Sequence, residues 1–130
     1  EVHSRGLDAA VRFAGFRHDL PRWLGGLDLL VHPADMEGLG VSLLQASAAA
    51  VPIVTTRAGG LPEAVLDGVT GLLIEPGNEA QLAAAIDRLA ADPALRARFG
   101  AAGRARILAE FSIDAMVAGN LAVYRQVLQP

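Results

Sequence analysis

The residues best suited to chemistry lie in segment 37–40, Glu-Gly-Leu-Gly, directly after an apolar run that ends at His32. A strand followed by a glycine-flanked turn and a helix aims free backbone N–H groups and the positive end of the helix dipole at one point. Such a point binds phosphate, while Glu37 and Gln45 can hydrogen-bond to hydroxyl groups beside it. Phosphate next to hydroxyl groups predicts a sugar nucleotide as the ligand.

A second glycine-rich turn supports this prediction. Gly59 and Gly60 follow the next apolar run and precede a short helical segment that contains Glu63. Both turns stand at the carboxyl ends of predicted parallel strands, which is the side on which such sheets bind ligands. Each residue alone also has a structural interpretation, because glycine permits close packing and an acidic residue stabilises the first turn of a helix.

Composition limits the class of protein. The chain has 130 residues, of which 52% are hydrophobic, enough for one folded domain with a modest core. The absence of cysteine excludes disulfides and cysteine-ligated metal sites. A net charge of -3 without a basic block argues against nucleic acid as the partner. No second metal-type ligand is spaced with His32, so we expect no metal.

The pattern of apolar runs predicts an α/β fold, a Rossmann-like parallel sheet with flanking helices that ends in three helices. We expect those three helices to serve packing and closure. The predicted strands are 11–16, 28–32, 52–56 and 71–74, and the predicted helices are 20–27, 41–49, 61–66, 78–91, 93–110 and 112–128. The last helix has an apolar stripe at Leu121, Tyr124, Val127 and Leu128. No apolar run reaches the length of a membrane span and no signal peptide is evident, so we expect a cytoplasmic protein.

The ordered set of motifs resembles the family-4 retaining glycosyltransferases of the GT-B fold. The motifs are Asp-Leu-Leu-Val-His-Pro at 28–33, Glu-Gly-Leu-Gly at 37–40, Ala-Val-Pro-Ile-Val at 50–54, Gly-Gly-Leu-Pro-Glu at 59–63 and Gly-Val-Thr-Gly-Leu-Leu at 68–73. The resemblance covers about residues 11–124, and the order of the motifs is specific although no single motif is. It implies that residues 1–130 are part of the C-terminal, donor-binding domain of a two-domain enzyme.

The resemblance implies roles for the residues of the first turn. Glu37 matches the first acid of the family's Glu-x7-Glu motif, which grips hydroxyl groups of the donor sugar, and is the expected catalytic residue. Leu39, Gly40 and Val41, with Gly38 in the same turn, would offer backbone N–H groups to the diphosphate. Gln45 stands where the family usually has a second glutamate that binds the ribose. A neutral amide forms a weaker bond than a carboxylate, so we expect weaker ribose binding or altered nucleotide choice.

Other positions match regions near the donor. Phe16 and Arg17 match the region that contacts the nucleobase, largely through backbone atoms, although Arg17 could equally be a plain surface charge. Gly59, Gly60 and Glu63 match a loop beside the donor. The only small molecule implied is the nucleotide-diphosphate sugar substrate, so no cofactor is expected.

The implied reaction is a front-face retaining transfer in which the leaving phosphate accepts the proton of the acceptor. The family also uses an Arg and a Lys on the diphosphate, from a segment that precedes the matched region, and an acceptor-binding N-terminal domain. We therefore expect this chain to be part of a longer protein and to be inactive alone. The other domain would also carry any peripheral membrane contact.

The family resemblance also predicts unpaired strand edges in the isolated chain. Such edges invite strand swapping or a homo-oligomer. Three other functions remain open at this point. They are a non-catalytic module that binds a nucleotide sugar, a nucleotide-sugar epimerase of the same fold, and an unrelated signalling or scaffolding domain.

Overall fold

A parallel three-stranded sheet with helices on both faces forms the domain, as the computed structural model describes it for residues 1–128. The strands lie in the order β1-β2-β3, with bounds Leu30–His32, Ile53–Thr56 and Gly71–Ile74. The helices are α1 Leu20–Leu24, α2 Val41–Ala48, α3 Leu61–Ala64, α4 Glu79–Ala91, α5 Pro93–Glu110 and α6 Ile113–Leu128, preceded by a 3-10 turn at His3–Arg5. The predicted α/β class is confirmed.

The central strand organises the core. Every residue of β2 is buried, and its neighbours Ile53 and Val54 belong to different hydrophobic clusters. Successive side chains of a strand point to opposite faces, so one sheet serves two layers. Leu43 and Leu61 bring α2 and α3 into the first cluster, whereas α4 and α5 supply the second. Because all three strands are parallel, their carboxyl ends lie together along one side of the sheet, the carboxyl edge.

The prediction of a strand at 11–16 is wrong. These residues are irregular and exposed, with Phe13 84% and Phe16 86% accessible. A strand is stable only where a neighbour accepts its backbone hydrogen bonds, and within residues 1–128 no strand pairs with this segment. Apolar composition alone therefore misled the prediction.

Two predicted helices are shorter than expected. Helix α1 ends at Leu24 rather than at residue 27, since Gly25 and Gly26 follow and glycine is a poor helix former. Helix α3 ends at Ala64 rather than at residue 66, because Val65 is extended, with φ -123° and ψ 122°.

Helix α5 holds the ends of three other helices in place. Three of its arginines, which are half-buried or exposed, donate to backbone carbonyls at helix C-termini, where carbonyls lack intrahelical partners. The bonds run from Arg96 to Leu89 and Ala90 of α4, from Arg104 to Ala48 of α2, and from Arg106 to Glu63 and Ala64 of α3. The predicted packing role of α4 and α5 is confirmed.

Helix α6 begins as predicted but does not pack as predicted. The Ser112 hydroxyl accepts a hydrogen bond from the Ala115 N–H at 3.1 Å, which caps the helix. Its apolar stripe remains exposed, from 45% at Leu121 to 80% at Leu128, and no α6 residue is buried. Among residues 1–128 no single helix has the length and hydropathy to cross a membrane, although α5 and α6 meet the criterion jointly as a pair bent by 45°.

Candidate functional site

The two glycine-rich turns pack against each other, backbone to backbone. The Gly60 N–H donates to the Glu37 carbonyl at 3.2 Å. A Cβ atom at Gly59 would lie only 2.0 Å from that carbonyl oxygen, and one at Gly60 would lie 2.5 Å from the Gly38 oxygen. Glycine at these positions is thus required for the close approach of the turns, which is the structural interpretation that the sequence left open.

Helix α2 begins at the first turn with free backbone donors. Gly40, at φ 73° and ψ 78°, precedes the helix, and its carbonyl accepts from Leu43 at 2.9 Å. Within residues 1–128, no protein acceptor contacts the N–H groups of Leu39, Gly40, Val41 or Ser42. These donors and the helix dipole together form a site suited to an anion.

The Glu37 carboxylate lies beside these donors and is 40% exposed. Its Oε1 accepts from the N–H of Gly38 at 3.0 Å, and its Oε2 lies 3.6 Å from Nε2 of His32. His32 is the last residue of β1, and the strand register places its backbone opposite Thr55. From the sequence, His32 is a strand-end residue that could face the substrate and has no second metal ligand spaced with it; the structure brings it within 3.6 Å of Glu37.

Gln45 lies on the next turn of α2 after Val41, and both side chains are exposed. Residues four apart share one helix face, so Gln45 lies on the same side of α2 as the exposed Val41. Gln45 lines a cleft of about 280 Å³ between α2 and α1, whose other wall includes Pro21 and Leu24. Ala48 and Ala49, at the carboxyl end of α2 and just beyond it, complete the lining of this cleft.

Arg17 is engaged in a local cluster. It donates to the Asp19 carboxylate at 2.8 and 2.6 Å, and its guanidinium carbon lies 4.3 Å from the ring centroid of Trp23. The Trp23 indole also donates to Asp19 at 3.2 Å. The hydrogen bond from Arg17 is the chief cause that holds the pKa of Asp19 below its ordinary value; desolvation opposes it as the second largest effect, and the bond from Trp23 lowers the pKa further.

Sequence analysis did not anticipate this cluster. The available signal was the spacing of Asp19 and Trp23, four residues apart across the start of α1, which places them on one helix face. Phe16, by contrast, is 86% exposed and lies edge-on to the His18 ring, with centroids 4.8 Å apart. Phe16 and Arg17 therefore lie on an exposed loop and not at the end of a strand.

Glu63 lies in the first turn of α3 with an exposed side chain, directly after the second glycine turn. Its N–H donates to the Gly60 carbonyl at 3.0 Å, and its own carbonyl accepts from Arg106 at 2.7 Å. Within residues 1–128 its carboxylate makes no hydrogen bond or ion pair, so it remains available to a ligand.

A cavity lies at the carboxyl edge of the sheet. The cavity at this edge measures about 210 Å³ and is lined on one side by Asp35 and Thr56 and on the other by Asn78, but not by Glu37. No group of three acidic or histidine side chains within residues 1–128 could hold a metal ion.

The architecture is an α/β domain built on a parallel sheet, and its structural neighbours are C-terminal domains of GT-B glycosyltransferases. Residues 1–106 match the family described as glycosyl transferases group 1. The chain belongs to this family.

Relatives and solved structures agree with this assignment. The chain is 40% identical over 110 residues to an alpha-maltose-1-phosphate synthase of Mycobacterium tuberculosis, covering 80% of this chain and 28% of the relative. It superposes on sucrose-phosphate synthase of Thermosynechococcus elongatus with a TM-score of 0.87 at 32% identity, covering 97% of this chain and 32% of that one.

A third neighbour was solved with a ligand. Anabaena HepE in complex with UDP-glucose gives a TM-score of 0.85 at 30% identity, covering 94% of this chain and 35% of that chain. The chain thus spans about a third of the length of these proteins.

Proposed function

We propose that this domain binds the nucleotide-diphosphate sugar donor of a family-4 retaining glycosyltransferase. The observation that carries the proposal is the group of free N–H donors at Leu39–Ser42, directly beside the exposed carboxylate of Glu37. A diphosphate accepts from the donors, and a sugar hydroxyl donates to the carboxylate. The complex of HepE with UDP-glucose supports a donor of this chemical class.

The geometry suits the charge that develops during sugar transfer. When the anomeric C–O bond breaks, negative charge accumulates on the departing diphosphate, and the sugar takes on oxocarbenium character. The N–H groups before α2 and its dipole stabilise the first charge. In a retaining front-face transfer the departing phosphate oxygen accepts the proton of the acceptor hydroxyl, so no second protein carboxylate is required.

The 40% exposure of the Glu37 side chain supports a site that another domain completes. We propose that residues 1–130 are part of a C-terminal donor-binding domain and that an N-terminal domain supplies the acceptor site. Cations on the diphosphate would come from outside this chain, and the isolated chain would not catalyse transfer. Turnover of donor and acceptor by the isolated 130-residue chain would contradict this part of the proposal.

Calorimetric titration of the full-length protein with UDP-glucose and GDP-mannose tests the proposal. We expect one of them to bind, and Glu37→Gln to weaken its binding by about tenfold to a hundredfold, because a charge-assisted bond to a hydroxyl is replaced by a neutral one. Affinity for the free nucleoside diphosphate should change little, since Glu37 faces the sugar.

Glu79→Gln is the matched control, because Glu79 is an exposed glutamate in the first turn of α4. It should leave both affinities unchanged. Absence of binding of every nucleotide sugar tested would eliminate the proposal and favour a scaffolding or signalling role.

One observation favours a second candidate, a module that binds a nucleotide sugar without turning it over. Gln45 replaces the second acid of the family motif, and it lines the α1–α2 cleft with an uncharged amide. Gln45→Glu in the full-length protein discriminates between the two. A large gain of transfer activity from an inactive background favours the module, whereas a modest gain in nucleotide affinity, of about threefold to tenfold, favours an enzyme with weakened ribose binding. An epimerase of the same fold is distinguished by product analysis.

A further inference from the structure

The His32 ring presents an unsatisfied polar atom to the proposed donor site. Its Nε2 is buried and has no hydrogen-bond partner within residues 1–128, although the side chain as a whole is 28% exposed. The nearest acidic atom in contact range is Oε2 of Glu37, at 3.6 Å. Buried polar groups without partners are rare, and they often mark a functional contact that tightens in another state.

The chemistry of the two groups restricts what this contact can be. If Nε2 carried a lone pair, it would face a carboxylate oxygen and the two would repel each other. If Nε2 carries a proton, it can donate to Oε2 after an approach of a few tenths of an ångström. The second arrangement satisfies both atoms, so we place a hydrogen on Nε2 of His32.

The backbone that carries the His32 imidazole is held in place by neighbouring residues. The His32 carbonyl accepts from the Thr55 hydroxyl at 2.8 Å, and the strand pairs with β2 at the same position. Glu37, in contrast, extends from an irregular turn and is held on its other side only by the N–H of the next residue, Gly38. A donor carried by a paired strand, next to a carboxylate with few partners, restricts the orientations of that carboxylate.

We propose that His32 is a positioning residue that orients Glu37 toward the sugar of the donor. The inference rests on the proposed function, because it assigns to His32 a part in recognising the sugar moiety and not the diphosphate. Its role is to donate from Nε2 to one carboxylate oxygen, so that the remaining lone pairs of Glu37 face the sugar hydroxyls.

The test compares a nucleotide sugar with its free diphosphate in the full-length protein, by calorimetry with UDP-glucose and UDP, or with GDP-mannose and GDP if that pair binds. His32→Leu should weaken binding of the nucleotide sugar by about fivefold to tenfold and leave binding of the diphosphate within about twofold. His32→Gln, whose amide N–H can occupy nearly the position of Nε2, should retain most of the affinity. His3→Leu makes the same chemical change at a fully exposed histidine and should have no effect.

A double-mutant cycle separates positioning from general structural support. In a Glu37→Ala background, His32→Leu should cause no further loss, because the acceptor that it orients is absent. Equal losses for sugar and diphosphate, a loss in His32→Gln as large as in His32→Leu, or additive losses in the cycle would each overturn the inference.

The test still decides if one variant fails to fold or if the wild type does not bind. If His32→Leu does not fold, His32→Asn gives the same comparison, since it keeps a polar group but withdraws the N–H from the Nε2 position. If the wild-type protein binds neither nucleotide sugar, the proposed function fails and this inference fails with it. If the wild type binds and only the His32 predictions fail, the proposed function stands alone.

Discussion

In the proposed donor site, the side chain of Gln45 determines how strongly the ribose can be held. Its amide can accept a hydrogen bond from one hydroxyl and donate another, but it offers no charge to a ribose. Helix α2 contains no acidic residue, so nothing within that helix replaces the charge of the glutamate that the family usually has at this position. Nucleotide affinity in this protein should therefore depend more on the phosphate donors at the turn than on the ribose.

The cluster of Arg17, Asp19 and Trp23 shows how neighbouring side chains set the properties of an exposed carboxyl. The lowered pKa of Asp19 means that the carboxylate is bound more favourably in the fold than in the unfolded chain. Its stabilising contribution is fully present above the unfolded value of 3.8 and is lost as pH falls through the lower, folded value. Solvent exposure keeps that contribution small.

Fluorescence of Trp23, the single tryptophan of the chain, reports on this cluster. We expect emission to be constant from pH 7 to pH 5 and to change below about pH 4, because protonation of Asp19 releases both Arg17 and the indole. Asp19→Asn should show the acid form of the spectrum at neutral pH and abolish the transition.

The control for that titration is Asp87→Asn, an exposed carboxyl on α4, which should leave the transition in place. Circular dichroism in parallel distinguishes local release from acid unfolding of the whole domain. A transition that persists unchanged in Asp19→Asn would show that another group controls the emission.

At the scale of structural elements, the candidate site is built from two glycine-rich turns. The second turn does not merely flank the first, because Gly60 donates to Glu37 and both glycines accommodate carbonyls of segment 37–38. The arginines of α5 fix the helices that follow, since Arg106 holds the end of α3 and Arg104 the end of α2. A helix that carries no proposed ligand contact thereby positions the turns that do.

Gly60→Ala tests the dependence of one turn on the other. Gly60 has an ordinary backbone conformation, φ -87°, so the substitution adds only a Cβ, which would lie 2.5 Å from the Gly38 oxygen. The backbone must shift, and we expect a loss of about 1–3 kcal/mol in the free energy of unfolding, measured by denaturant titration. Affinity for the nucleotide sugar should fall as well, because the shift displaces segment 37–38.

Gly25→Ala is the matched control. An added Cβ there meets no atom within 4 Å, and φ is -65°, so stability should be unchanged or raised by up to about 1 kcal/mol. Wild-type stability and affinity in Gly60→Ala would mean that the turns do not depend on their contact.

For the molecule as a whole, the two edges of the sheet differ. The β3 edge is closed by side chains, since Asp67 accepts from the Leu73 N–H at 3.0 Å and Gln81 accepts from the Glu75 N–H at 2.9 Å. At β1, the Leu30 N–H bonds to Pro52 of the loop before β2, so the alternation of a parallel ladder points the Val31 N–H outward. Within residues 1–128 that outer edge has no backbone partner.

We therefore predict that the isolated 130-residue chain self-associates through the β1 edge, as an open strand edge invites pairing with another chain. Sedimentation velocity should show a concentration-dependent dimer or larger species. Amide exchange at Val31 should be slower in the associated form, because its N–H then donates to a strand of the second copy.

Exchange at Leu73 serves as the internal control, since Asp67 already satisfies that N–H and association should leave its rate unchanged. The double substitution Leu121→Glu and Tyr124→Glu removes the competing explanation, an association through the exposed stripe of α6. If that variant becomes monomeric, or if Val31 exchange does not respond to association, the β1 edge is not the interface.

The sequence by itself determined the elements whose signals are local. The starts of α4, α5 and α6 were predictable because Asn78, Pro93 and Ser112 are residues that favour the beginning of a helix. Each acts within one helical turn of its own position. The glycine turn and Glu37 were identified in the same way, from a strand, a turn and a helix adjacent in the chain. The parallel direction of β1 to β3 followed from the alternation of strands and helices.

Only the tertiary structure decided what depends on contacts between distant segments. It showed that segment 11–16 is no strand, because a strand requires a neighbour whose backbone is available, and that the α6 stripe is exposed. It also placed His32 beside Glu37 and Gly60 against Gly38. Local sequence fixes the preference of a segment, but hydrogen bonding across a sheet and packing between turns depend on which segments the fold brings together.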